Sequence, residues 1–201
     1  MSFHPLMAYD ERFHKSERQL VDEGPVFTFT AERRATLDRM LQDYPRDQKR
    51  SAVLGALYLV QDQQGYLTAN GMRHVAEILG MTPAEVEDVA SYYVMFYREP
   101  VGKYVIQVCR TLSCALMGAE RVTETLSEKL GIKVGETDPS GMFTLMEFEC
   151  LGACDRAPVV MVNNEHWHEK ARPEDAGKLV DDIRAKGPAA LSGCFLHVER
   201  A

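Results

Sequence analysis

No apolar run in the chain approaches the roughly 20 residues that a membrane-spanning helix needs. No direct membrane insertion is expected, and any attachment to a membrane would have to come through another subunit. Positive charge is scarce as well: 23 Lys and Arg stand against 30 Asp and Glu, a net −7. Nucleic acid, which calls for a basic footprint, is therefore not an expected partner. The Cys-x-x-Cys pair of a dithiol oxidoreductase is missing. So are a glycine-rich phosphate loop, a Ser/His/Asp grouping and a paired-carboxylate signature. The chain is expected to carry no substrate chemistry of its own. With no secretory leader in view, a reducing compartment is expected, where disulfides are rare.

What is there is an ordinary globular composition, 45% hydrophobic and 26% charged over 201 residues, enough for one good-sized domain or two small ones. Against that background the cysteines stand out. Four of the five fall in two tight pairs, Cys109 with Cys114 and Cys150 with Cys154, separated by a helix-length segment. Isolated core cysteines, which behave as small buried hydrophobes, have no reason to cluster so. Thiolate ligation alone selects zinc or iron–sulfur chemistry over hard cations. Structural zinc sites usually take their ligands from Cys-x-x-Cys knuckles, whereas four residues separate the first pair here and three the second. A two-iron cluster is wider than one ion and takes two thiolates per iron, which suits the looser pairs better; a zinc site remains the rival. Cys194 has no neighbour in sequence and is read as a bystander.

Residues 1–29 mix aromatics with charges and show no sustained period, so they read as a tail, disordered or laid along a partner. Thr30 is a helix N-cap ahead of Leu37, Met40, Leu41 and Tyr44 on one face, stopped by Pro45. A second helix from Ser51 is apolar over much of its circumference and ends at Gly65. A third, from about Asn70, ends at Gly80, and Thr82-Pro83-Ala84-Glu85 is a capping box that opens a fourth. Four helices with brief connections imply an N-terminal antiparallel helical domain over 30–99. The run Tyr92 to Tyr97 reads as core or interface packing.

Pro100-Val101-Gly102 breaks the pattern, and the period changes after it. Lys103 to Val108 reads as a strand, 118–130 as a helix, Phe143 to Glu149 as a second strand. Val159 to Val162 and Glu165 to Glu169 read as a hairpin around Asn163-Asn164, and Pro173 opens the last helix, closed by Gly187-Pro188. The implied α/β layer spans 100–187, with 188–201 as a C-terminal tail and both cysteine loops at one sheet edge. His166 and His168 share one face of a strand, but no carboxylate or cysteine spacing supports a ligand role for them.

The matching stretches are Tyr44-Pro45, 61–67, 91–96, Pro100 to Lys103, Cys109 to Cys114, Gly135-Glu136-Thr137, and Glu149 to Cys154 with Ala157-Pro158. In these the chain resembles the thioredoxin-like two-iron ferredoxin subunit of NADH:quinone oxidoreductase, respiratory complex I. Tyr92-Tyr93-Val94 departs from that family's common Phe-Tyr-Thr, and Asp138 to Gly141 replaces a shorter turn. The resemblance implies an α+β chain with a C-terminal thioredoxin-like domain and one [2Fe-2S] cluster on Cys109, Cys114, Cys150 and Cys154. It also implies a neighbouring flavoprotein subunit that carries FMN and binds NADH, further peripheral-arm subunits of complex I, and a cytoplasmic site peripheral to the membrane. A related subunit of an NAD-linked formate dehydrogenase or hydrogenase, or a zinc-binding assembly adaptor, would be the alternatives. A cis Ala157–Pro158 bond is expected, with the N–H groups of Leu112, Ser113, Gly152 and Ala153 as candidate donors to the cluster.

Overall fold

The structure is a computed structural model that describes residues 22–191; Cys194 and the outer parts of both expected tails lie outside the described residues. The chain divides into two compact units, Met1–Pro100 and Val101–Ala201.

The first unit is helical: α1 Ala31–Met40, α2 Val53–Gln64, α3 Ala69–Leu79 and α4 Pro83–Tyr92. Local chemistry sets the boundaries. The Thr30 hydroxyl accepts from the Arg33 N–H, Gly65 and Gly80 close α2 and α3 in the left-handed conformation, and Thr82 with Glu85 completes the capping box. Leu37, Leu57, Val60, Val75 and Val86 form the fully buried centre. Phe96 and Tyr97 join the buried set and Tyr93 and Met95 pack against it partly buried, while Tyr92 and Val94 are exposed, so the run packs along one side.

Residues 22–29, expected to belong to a tail, pack on this unit instead. Phe27 is buried in its core and meets Phe29 and His74 edge-on. The Asp22 and Glu23 carbonyls accept from the N–H groups of Ala69 and Asn70, and Gln63 bonds both Thr28 and Thr30. These long-range bonds have no periodic signature, which is why the segment reads as structureless in sequence.

The second unit holds β1 Tyr104–Cys109, α5 Leu112–Leu116, α6 Ala119–Leu130, β2 Phe143–Phe148, β3 Val160–Val162, β4 His166–His168 and α7 Pro173–Lys186. The sheet order is β2-β1-β3-β4, with β1 parallel to β2 and both other pairings antiparallel. Buried on both faces, β1 is an unbroken apolar run apart from Gln107, whose side-chain amide bonds Asn164. Asn163 and Asn164 take positive φ at the β3–β4 turn, as the sequence leads one to expect. Gly102 is required by space: a Cβ there would sit 2.8 Å from the Phe143 backbone. The Ala157–Pro158 bond is cis. A 3₁₀ turn, Gly187–Leu191, follows α7 and buries Leu191, with Ala190 packed beside it, so part of the expected C-terminal tail belongs to the core.

Exposed ion pairs such as Arg50 with Glu85, 2.6 Å apart, are worth about 0.2–1 kcal/mol each. Burying one Leu or Phe is worth about 1.5–3 kcal/mol, so the apolar cores decide the stability of both units.

Candidate metal centre

All four cysteines of the two pairs gather at one end of the β1–β2 ladder. Cys109 is the last residue of β1 and is paired in register with Phe148, the last residue of β2. Cys150 follows two residues beyond, and Cys154 opens a 3₁₀ turn, Cys154–Arg156. Cys114 was expected on a loop but lies in α5, a short helix whose first turn is closed by the Ala115 N–H on the Thr111 carbonyl. The loops are also fastened to each other: Arg110 donates through its backbone to Phe148 and through its guanidinium to Glu149.

Exposure divides the set. Cys109 and Cys114 are buried, Cys150 and Cys154 exposed. The Cys150 and Cys154 sulfurs stand 3.3 Å apart, and the Gly152 N–H points at Cys150 Sγ from 3.4 Å. Gly152 has φ +82°, a conformation that a side chain would strain. The Thr111 hydroxyl lies 3.2 Å from Cys109 Sγ.

The electrostatics follow from those contacts. Burial works to raise the Cys109 thiol, but the Thr111 hydroxyl, the Leu151 and Thr111 N–H groups and the Cys114 thiol bring it below the ordinary value. Cys114 is pushed up to about 11 by burial, by the hydrogen bond it gives Cys109 and by the charges of Cys109 and Cys154, against one N–H from Val159. In the exposed pair, the Gly152 N–H and then the Cys154 thiol lower Cys150, while Cys154 is raised by its bond to Cys150 and by that neighbour's charge. In each pair one thiol is lowered and its neighbour raised, and a metal group that takes four thiolates must displace whatever protons the sulfurs hold.

A tetrathiolate group of two irons fits this arrangement. The donors are sulfur only, they form two pairs, and backbone N–H groups already face the sulfurs. Gly152 is one of the four donors expected from the sequence; Leu151 toward Cys109 and Val159 toward Cys114 are donors that only the fold brings near those sulfurs, while Thr111, two residues from Cys109, is a local donor that the sequence reading passed over. His166 and His168 sit on β4, and burial lowers His168 to about 4, with the charge of His166 adding to the effect.

Residues 37–184 match the thioredoxin-like [2Fe-2S] ferredoxin family. The chain belongs to that family. Its members take their name from a [2Fe-2S] group, in keeping with the four-sulfur donor set. The chain is 42% identical over 176 residues to the E subunit of the NADH-quinone oxidoreductase of Mycobacterium tuberculosis strain H37Rv, a match spanning 86% of this chain and 69% of that one. It is 40% identical over 160 residues to NADH-quinone oxidoreductase subunit 2 of Thermus thermophilus, covering 75% of this chain and 88% of the relative. Among solved structures, an air-oxidized NAD+-reducing [NiFe]-hydrogenase superposes with a TM-score of 0.60 at 20% identity. That match covers 73% of this chain but only 25% of the hydrogenase chain. At that identity the likeness speaks to the fold alone.

Proposed function

We propose that this chain is an electron-transfer subunit of an NADH:quinone oxidoreductase and binds one [2Fe-2S] cluster through Cys109, Cys114, Cys150 and Cys154. When bound, such a cluster supplies one-electron chemistry beside a flavin, which takes two electrons at once from the nicotinamide. The observation that carries the reading is the convergence of four cysteine sulfurs, two buried and two exposed, in a chain about 40% identical to named subunits of that oxidoreductase.

The residues of the chain divide the work. Cys109 and Cys114 anchor the site in the core, while Cys150 and Cys154 bring it to the surface, where an electron has little protein to cross. Backbone N–H groups from Thr111, Leu151, Gly152 and Val159 offset the charge of the sulfurs. Leu112, Leu116 and Met117 are 75%, 78% and 63% exposed on and just after α5, beside Cys114. An apolar rim at an electron-carrying site suits burial against a partner, and the partner proposed is the subunit that binds FMN and NADH. No helix among the described residues is long and apolar enough to cross a membrane, and the proposed location is cytoplasmic, peripheral to the membrane through the complex.

The test is coexpression with the FMN- and NADH-binding subunit. NADH is expected to bleach the cluster absorbance of the pair, and Leu116→Glu to lower recovery of the pair without changing the absorbance of the chain alone. A pair that assembles but whose cluster stays oxidised in excess NADH would overturn the proposal.

A further inference from the structure

Outside the sulfurs, the contact that stands out is made by Trp167 of β4. Its indole N–H donates to the Leu151 carbonyl at 2.9 Å, across a separation of 16 residues. Leu151 lies between Cys150 and Cys154. The Leu151 carbonyl and the Gly152 N–H belong to the same planar peptide group, which is trans, so the two point in opposite directions. One end of that group is held by the indole, and the other faces Cys150 Sγ at 3.4 Å. A donor on the carbonyl polarises the peptide and strengthens the bond its N–H gives. The loop needs such a fastener: its cysteines are exposed, and nothing lies within 4 Å of where a Gly152 Cβ would be, so no neighbour packs against that face of the turn.

We propose that Trp167 is a positioning residue for the iron–sulfur site, fixing the Leu151–Gly152 peptide so that its N–H is directed at Cys150. The proposal rests on the two-iron reading above and deepens it. The residue would act at a distance on the cluster's reduction equilibrium, because hydrogen bonds to ligand sulfurs ease the addition of negative charge. Trp167 also packs on the sheet core, as do Leu151, Ala153 and Ala157. Removing the whole ring would therefore mix lost packing with the lost bond.

The chain offers a clean separation because Trp167 is its one tryptophan. Growth of a tryptophan auxotroph on the benzothienyl analogue of tryptophan replaces only this N–H, by sulfur, and keeps the ring. Trp167→Phe is the companion variant. In the full-length chain carrying its iron, both are expected to shift the reduction equilibrium toward the oxidised cluster by about 2- to 10-fold, the worth of one hydrogen bond, at unchanged iron content. In the metal-free chain, ¹⁵N relaxation at Gly152 is expected to show an order parameter falling from about 0.85 toward about 0.6. A reduction equilibrium that does not move in the iron-loaded chain, or a Gly152 order parameter that does not move in the metal-free one, would overturn the role given to Trp167. A chain that takes up no iron would instead sink the two-iron reading, and the metal-free measurement would still decide whether Trp167 orders the loop.

Discussion

The two cysteine pairs present the same chemistry in opposite surroundings. Cys109 and Cys114 are part of the core: one ends a fully buried strand, the other lies in a short helix, and Val122 and Val160 belong to the same buried cluster. Cys150 and Cys154 stand on an exposed loop and are placed by three single fasteners, the Gly152 turn, the Trp167 indole and the Arg110–Glu149 ion pair. The first pair is therefore fixed by whatever holds the sheet together, at many kcal/mol of shared burial. The second depends on single bonds worth about 1 kcal/mol each. A site so divided has a rigid floor and an adjustable rim.

Substitution breaks the comparison most sharply. Cys→Ser at any of 109, 114, 150 or 154 is expected to deplete or alter the cluster, read as iron content and visible absorbance, whereas Cys194→Ser leaves both intact. The metal-free chains should then separate: a buried Cys109→Ser or Cys114→Ser lowers stability by about 1–3 kcal/mol, while the exposed Cys150→Ser and Cys154→Ser stay within about 0.5 kcal/mol of the parent. Equal melting curves for all four would remove the distinction.

Two glycines probe floor and rim in the same way. Gly102→Ala forces a Cβ to 2.8 Å from the Phe143 backbone and is expected to cost about 1–3 kcal/mol of stability in denaturant. Gly152→Ala meets no atom; its penalty is the left-handed backbone, about 1–2 kcal/mol, and falls on iron occupancy more than on the melt.

Thiol reactivity sharpens the contrast further. In the metal-free chain at neutral pH, Cys150, exposed and held toward the thiolate by the Gly152 N–H, should be alkylated first. Cys114, buried and raised to about 11, should come last. Mass spectrometry of peptides from a timed reaction gives the order.

A smaller effect belongs to the strand that carries Trp167. His168 is lowered from 6.5 to about 4 by burial and then by the charge of His166. The unfolded chain therefore binds the proton first, and stability is highest above pH 6.5, falls between there and about pH 4, and levels off below. The loss is at most about 3 kcal/mol, and His168→Gln should flatten that part of the stability profile.

How much of the fold and site is legible in the sequence follows the range of the interactions. The capping box at Thr82, the asparagine turn at 163–164 and the four cysteines are written in neighbouring residues, and periodicity exposes most of the helices and strands. What escapes is long-range. The 22–29 segment is held by Gln63, Asn70 and Arg73, and Leu151 and Val159 become donors to sulfur only once β1, β2 and the second loop have met. In His166-Trp167-His168 the histidines draw the eye, while the bond that matters to the site comes from the residue between them.

The most direct test of the central claim is iron and acid-labile sulfide analysis of the anaerobically purified chain, with EPR before and after dithionite. The account predicts about two irons and about two sulfides per chain, with a signal that appears on reduction as the visible absorbance bleaches. A colourless protein holding about one zinc per chain, silent under the same treatment, would contradict it.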